Sequence, residues 1–277
     1  MCQAGGAKDL FSVGQSQLCA CANCGLRFLF PQTSDHRLLE IYEQSYFLGS
    51  LDELERLKRA TAALYLGEIS KRLGTVKNKR LLEIGCGRGY LLKEAQALGM
   101  FVNGLESSPD GVSRANEWLG SEIVSLGILG DNVFADETFD VVIATDVIEH
   151  VRDPKSFMAQ VHKILSSGGL FYCVTPSLDS LSARLMGRYW MEYKEEHLFY
   201  FNRNNMASLC EGAGFRNIQI HDNFKILNAE YIAAHFERYP VPTVSPIVVN
   251  AAKLLPKRLA HMPVKIVASG MTLCATK

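Results

Sequence analysis

The sequence has no net charge of either sign: Lys plus Arg total 29, and so do Asp plus Glu, over 277 residues. A chain built to hold a phosphate backbone usually carries a basic excess, so the bulk charge argues against a nucleic-acid partner. Long hydrophobic runs are also missing. The most apolar stretch, "SPIVVNAAKLLPKRLAHM", is broken by proline, lysine and arginine well short of the roughly 20 residues that a spanning helix needs. No membrane span is therefore expected. The first residues set Lys8 and Asp9 beside a short apolar patch and lack the apolar core of a secretion signal. Without such a signal, eight cysteines read as reduced thiols in a cytoplasm rather than as a disulfide framework. There is no internal repeat, and with 48% hydrophobic residues the chain can bury a sizeable core, which excludes global disorder.

What is present is organised. Residues 1–34 are rich in Gly, Cys and Gln with little periodicity, and read as a small, loop-dominated, cysteine-containing module. Residues 35–74 turn helical: "LDELERLKRATAALYLGEISKRL" spaces apolar residues by three and four, with charges between, and Gly74 is a natural stop. This reads as a helical lid. From residue 75 to the end, strand and helix signals alternate. "RLLEI", "FVNGLE", "EIVSL", "FDVVIATD", "LFYCVTP", "NIQIHD" and "GMTLCATK" are the strands. "SPDGVSRANEWLG" and "DPKSFMAQVHKILSSGG" open with a capping Ser or Asp followed by Pro, as helices do. Strands separated by helices predict an α/β fold with a doubly wound, mostly parallel sheet. Residues 224–263 interrupt the last strand pair and are expected to form a helical cap.

The chemistry starts at "LLEIGCGRGY". In an open parallel sheet, ligands bind beyond the carboxyl ends of the strands where the strand order reverses. Gly85, Gly87 and Gly89 follow the first strand directly, so the chain can turn tightly and a ligand can lie on bare backbone. The helix beginning near Arg88 aims its free N–H groups at the same space. A dinucleotide site prefers G-x-G-x-x-G; here the spacing is G-x-G-x-G, and Tyr90 stands where the third glycine belongs. Glu83 is expected to put a negative charge at the mouth of the loop, repelling a pyrophosphate and attracting an ammonium or sulfonium group. Glu106 ends the second strand, where a carboxylate can accept both ribose hydroxyls.

With these residues in view, the chain resembles a Rossmann-like (class I) S-adenosylmethionine-dependent methyltransferase. It is similar to the small-molecule type that includes ubiquinone-biosynthesis O-methyltransferases. Five stretches carry the likeness in order: "LLEIGCGRGYLLKEAQALG", "GLESSPDGVSRA", "FADETFDVVIATDVIEHVRDP", "ILSSGGLFYCVTPS" and "EEHLFYFNRNNMASLCEGAGF". The likeness covers about residues 75–223 and resumes at the final strand. It implies a seven-stranded methyltransferase sheet with S-adenosylmethionine as cofactor. Glu83, Gly85, Gly87 and Gly89 would hold the methionine part, with Cys86 inside the loop, most simply as a small buried residue. Glu106, with Ser107 beside it, would hold the ribose. Thr145 and Asp146 would lie at the end of the fourth strand, under the methionine part. Many relatives place an adenine-binding Asp after the third strand; here Ile128 follows Gly127, so adenine would rest on backbone contacts and on Ile128 and Leu129.

The reaction so implied is methyl transfer to a small-molecule acceptor, at oxygen rather than nitrogen or carbon. A hydroxyl acceptor needs a base, and a His or carboxylate is the usual choice. "DVIEH" offers Glu149 and His150, and "EEHLFYF" offers His197, with Tyr193 and Tyr200 nearby. His150 is either a catalytic base or a stitch to a backbone carbonyl. His197 is either a base or a packing residue. Glu149 orients His150 or binds a divalent cation. The other aromatics, Tyr189, Trp190, Phe199 and Phe201, fit core and lid. Cys19, Cys21 and Cys24 form a C-x-x-C knuckle with a stray thiol, and relatives carry two such knuckles around a structural zinc. Here only Cys2 represents the upstream knuckle, and Cys19 is the substitute fourth ligand; the other reading is four free thiols. Two further function classes stay open: a non-catalytic S-adenosylmethionine-binding module, and a nicotinamide-dependent oxidoreductase, against which Glu83 and the glycine spacing argue.

Overall fold

Adjacent apolar residues in the predicted strands require a sheet covered on both faces, because successive side chains point to opposite sides. The computed structural model, which describes residues 6–44, 51–130, 134–136 and 138–277, has that form. In chain order, β1 (Ala7–Val13), β2 (Ser16–Cys21), β3 (Arg27–Phe30), α1 (Asp35–Gln44) and α2 (Leu51–Leu73) come first. Then β4 (Arg80–Ile84), α3 (Tyr90–Ala97), β5 (Phe101–Glu106), α4 (Pro109–Leu119), β6 (Val124–Leu126), β7 (Phe139–Thr145), α5 (Pro154–Ile164) and β8 (Leu165–Pro176) alternate. α6 (Leu181–Met186), β9 (Phe199–Tyr200), α7 (Arg203–Gly212), β10 (Arg216–Leu227), α8 (Ala229–Arg238), α9 (Val244–Leu254), α10 (Lys257–Ala260) and β11 (Val264–Thr276) complete the chain.

Seven strands form the main sheet in the order β10-β11-β8-β7-β4-β5-β6, and β11 runs antiparallel to both neighbours while the others are parallel. The chain leaves β4 towards β5 and β6, then returns to β7 on the other side, so the order reverses between β4 and β7. Side chains split by face. Leu82, Val142, Phe171 and Leu273 pack with α5 and α7 residues such as Met158 and Leu209. Leu81, Val141, Tyr172 and Cys274 pack with α3, α4 and α2. Two helices begin as the caps predict: Ser108 Oγ accepts from Gly111 N–H at 3.2 Å, and Asp153 Oδ1 accepts from Lys155 N–H at 2.9 Å.

Two expectations need correction. Residues 7–30 are not loop-dominated: β1, β2 and β3 pair antiparallel, and β9 extends their sheet through Arg27↔Tyr200 and Phe28↔Phe199. The periodicity is hard to see because the strands are short, four residues in β3 and two in β9, and few of their side chains, Leu18, Leu29 and Tyr200 among them, reach the buried core. The helical stretch read as a lid is, over its second half, a core helix: Ala62, Tyr65, Leu66 and Ile69 of α2 are buried against the main sheet. Each large side chain so buried contributes about 1.5–3 kcal/mol relative to exposure, far too much for a mobile cover. Between β10 and β11, helices α8, α9 and α10 occupy the expected cap segment.

Candidate active site

The loop after β4 turns through Gly85, Gly87 and Gly89 at φ of 68°, 53° and 75°, a region that favours glycine. A Cβ on Gly85 would stand 2.6 Å from Val147 Cγ2, across the reversal point, whereas one on Gly87 would stand in open space. The N–H groups of Gly85 and Cys86 donate to the Leu105 carbonyl at 2.7 and 3.3 Å and fix the loop on β5. Glu106 then works as a clamp: Oε2 accepts from Gly87 N–H at 2.8 Å, and Oε1 accepts from Ser108 N–H at 3.0 Å and the Ser107 hydroxyl at 3.4 Å. Glu83 corrects one expectation. Its carboxyl is not an exposed charge at the mouth but is buried, held by the Leu92 backbone amide, and its Oε2 has no hydrogen-bond partner. Burial first, and Glu106 second, push its pKa well above the usual carboxylate range. A buried carboxyl oxygen without a partner is costly. It is the feature to expect where a cationic ligand group completes the site.

Around this cradle, Cys86 packs its thiol over Gly104, where a Cβ would come within 2.8 Å. Burial raises that thiol's pKa, which leaves it a small apolar filler. Beyond β6, Gly127 N–H donates to the Glu106 carbonyl at 2.9 Å, and Ile128 offers an apolar side chain that is 62% exposed. A flat apolar ring set against it would remove that surface from water. Thr145 ends β7, and Asp146 follows in the left-handed region at φ 56°. Asp146 Oδ2 accepts from Lys225 Nζ of β10 at 2.9 Å. Burial opposes the charge on Asp146, but Lys225 and Lys58 outweigh it and keep its pKa low.

The three candidate bases meet. Ligand atoms of Glu149, His150 and His197 lie within 4.8 Å of one another. Each histidine has its Nδ1 on a backbone carbonyl, His150 on Glu196 and His197 on Glu192, both at 2.9 Å. A neutral ring can make that contact only as an N–H donor, so Nε2 is the basic nitrogen in both. Burial is the main cause that lowers the His150 pKa to about 4 and the His197 pKa well below normal. Glu149 accepts from Thr175 Oγ1 at 3.0 Å through Oε2, while its buried Oε1 has no partner. Burial, and then Asp146, raise its pKa to about 8. The N-terminal sheet holds this cluster: Leu29 N–H donates to the Leu198 carbonyl at 3.0 Å, and Leu198 N–H to the Glu149 carbonyl at 2.8 Å. The cysteine set fits a zinc ion less well. Cys19 Sγ turns to Asp9 Oδ1 at 3.3 Å, and among the described residues Cys19, Cys21 and Cys24 do not converge as a ligand set. Cys2 lies outside the described residues.

A family model described as a methyltransferase domain matches residues 55–220. The chain belongs to this methyltransferase family. Among curated proteins, it is similar to the ubiquinone biosynthesis O-methyltransferase of Ruegeria pomeroyi, at 37% identity over 39% of this chain and 47% of that protein. The protein of the same description from Cereibacter sphaeroides strain KD131 is 34% identical over 40% of this chain and 48% of its own length. The chain thus spans about half the length of these relatives. Two solved structures share the fold. An S-adenosylmethionine-dependent methyltransferase from Archaeoglobus fulgidus matches with a TM-score of 0.53 at 18% identity, over 88% of this chain and all of that one. The Haemonchus contortus phosphoethanolamine N-methyltransferase 2, solved with S-adenosyl-L-methionine, matches with a TM-score of 0.53 at 17% identity, over 78% of this chain and 52% of that one.

Within this methyltransferase domain, sequence reading missed the polar group beside Asp146. Lys225 comes from a strand on the far side of the sheet, and Glu192, on the loop before β9, accepts from Ser269 Oγ at 2.6 Å. Tyr65 OH and Asn223 Nδ2 are buried nearby with no hydrogen-bond partner. No local pattern joins residues 65, 146, 192 and 225. The only signal was a lysine inside the otherwise apolar "FKIL" of a predicted insertion.

Proposed function

We propose that the chain is an S-adenosylmethionine-dependent methyltransferase that methylates a small-molecule acceptor at a hydroxyl oxygen. The observation that carries the reading is the buried, unpartnered Glu83 Oε2 on the strand that leads into a side-chain-free loop whose Gly87 amide is set by Glu106. When bound, S-adenosylmethionine supplies a methyl group on a sulfonium. Glu83 and the backbone of Gly85, Gly87 and Gly89 would hold its ammonium-bearing end, and ionising Glu83 there supplies the missing partner. Glu106 and Ser107 would hold the ribose, Gly127 and Ile128 the adenine, and Thr145 and Asp146 the floor beneath the amino-acid part.

Alignment of acceptor and methyl can supply about 7–11 kcal/mol of the barrier. What remains is the proton. A ring nitrogen of each of His150 and His197 lies within 4.8 Å of a Glu149 carboxyl oxygen, and that carboxyl, with its pKa raised to about 8, changes protonation state just above neutral pH. In this reading the histidines relay the acceptor proton to Glu149 in its ionised form, whose share grows as pH rises towards about 8, and Glu149 gives the proton up to water after each turnover. A divalent cation on the same three groups is the other use of the cluster. A cavity of about 320 Å³ lined by Val13, Tyr193, Lys194, Arg238 and Tyr239 has room for a small acceptor, and its wall includes Glu196, whose carbonyl holds His150. Among the described residues no helix is long and apolar enough to cross a membrane, and a cytoplasmic setting belongs to this proposal.

Calorimetry with S-adenosylmethionine and S-adenosylhomocysteine, using NADH as control, tests the reading. Binding of the first two alone, weakened at least tenfold by Glu106→Ala, is the expected result; NADH binding in their place sinks it. Full turnover in both His150→Ala and His197→Ala would remove the proton relay and leave the cofactor site standing.

A further inference from the structure

The last forty residues differ from the rest of the chain. From Arg238 to Lys277 there are six Lys and Arg and not one Asp or Glu, in a protein whose charges otherwise cancel. Eight of the seventeen exposed large apolar side chains among the described residues fall within 244–267. Helix α9 explains why. Ser245 and Val249 face inward and are buried, with Val248 and Ala252 half-buried beside them. The opposite stripe, Val244, Ile247, Ala251 and Leu254, is equally free of charge but faces water, Ile247 at 69% and Leu254 at 85% exposure. A helix apolar on both sides belongs in an interior or against another apolar phase. Leu255, Leu259 and Met262 continue the exposed surface past its end.

Charge says what that phase is. Lys257 and Arg258 make no ion pair with any described residue. Lys265 lies over the Phe224 ring at 4.3 Å, and Lys253 meets Glu237 at 3.4 Å. Among the described residues nearby, Glu53 pairs with Arg56 at 2.8 Å and Glu230 meets His261 Nδ1 at 3.0 Å. An apolar stripe flanked by cations and without carboxylates of its own matches the interface of an anionic bilayer, where apolar side chains enter the acyl boundary and lysines meet headgroup phosphates. A two-fold contact with a second copy would set Lys257 and Arg258 against themselves. A nucleic acid would leave the apolar stripe in water.

We infer that the outer face of α9 and α10 is a docking surface for an anionic phospholipid bilayer. The inference does not rest on the catalytic reading. Its test is co-sedimentation of the full chain with phosphatidylglycerol–phosphatidylcholine vesicles, with pure phosphatidylcholine vesicles as control. The expected result is binding to the mixed vesicles only, lost at high salt. Lys257→Glu/Arg258→Glu weakens it roughly 25-fold or more. Ile247→Ser/Leu254→Ser weakens it at least tenfold with an unchanged melting temperature, since both side chains are exposed. The inference is overturned by no vesicle binding, by binding that either variant pair leaves intact, or by a duplex oligonucleotide that displaces the vesicles. A dimer dissolved by Ile247→Ser/Leu254→Ser would overturn it equally, by assigning the face to a second copy.

Discussion

Single residues set the cradle's limits. Gly85 has both a left-handed φ of 68° and a neighbour, Val147 Cγ2, 2.6 Å from where a Cβ would go. Gly85→Ala should therefore cost about 2–6 kcal/mol of stability, summing conformational strain and overpacking at roughly 1–3 kcal/mol each. Adding Val147→Ala should recover the overpacking part but not the strain, a difference that a double-mutant cycle by thermal melts resolves. Glu83 makes a prediction of opposite kind. Because its folded-state pKa is raised, it is protonated in the folded protein at pH values where the unfolded chain has lost that proton. A cation can bind it well only once it is ionised. Affinity for S-adenosylmethionine should tighten as pH rises from the ordinary carboxylate range through Glu83's raised value, and Glu83→Gln should abolish that slope in calorimetry. Glu149 follows the same sign for stability. Between its unfolded value near 4.3 and its folded value of about 8, the folded state binds the extra proton, so stability falls as pH rises, by up to ~1.4 kcal/mol per unit. Glu149→Gln should flatten the melting temperature across that window; an equal decline in both proteins would place the effect elsewhere.

At the scale of elements, what could be read in the sequence was what neighbours in sequence decide. Ser108-Pro109 and Asp153-Pro154 start α4 and α5 where the capping chemistry says they must. Asp153 accepts from two backbone amides, Lys155 at 2.9 Å and Ser156 at 3.2 Å, so Asp153→Ala should cost roughly 1 kcal/mol in denaturant melts. The strands β4, β5 and β7 were legible for a similar reason: a short apolar run between glycine and helix signals has few other uses. The small sheet was not. β9 has only two residues, Phe199 and Tyr200, and its identity as a strand comes wholly from pairing with Arg27 and Phe28, far away in sequence. α2 misled for the converse reason. Its helical period was plain, but which face lay on the sheet, and that it lay there at all, depended on Leu81 and Leu170 receiving it.

At the scale of the molecule, the two halves of the site hang on different supports. Glu83, the glycine loop and Glu106 belong to β4 and β5 and are held by the main sheet and the helices α3 and α4 packed on it. Glu149 and His197 depend also on the N-terminal strands, through Leu29 to Leu198 and Leu198 to Glu149. The sequence named both sets of residues but not this division, since the second support is a tertiary contact. It makes cofactor binding and turnover separable. Leu29 is 1% exposed within the core of the small sheet. Leu29→Ala should loosen that sheet by about 2–5 kcal/mol and shift β9. A displacement of the order of 1 Å at the proton-accepting cluster costs about a hundredfold in rate. Turnover should therefore drop by about that factor, while the dissociation constant for S-adenosylmethionine, read by calorimetry on the same preparation, stays within experimental error of the parent. A parallel loss of both would mean that the small sheet supports the cradle as well, and that the site is one mechanical unit.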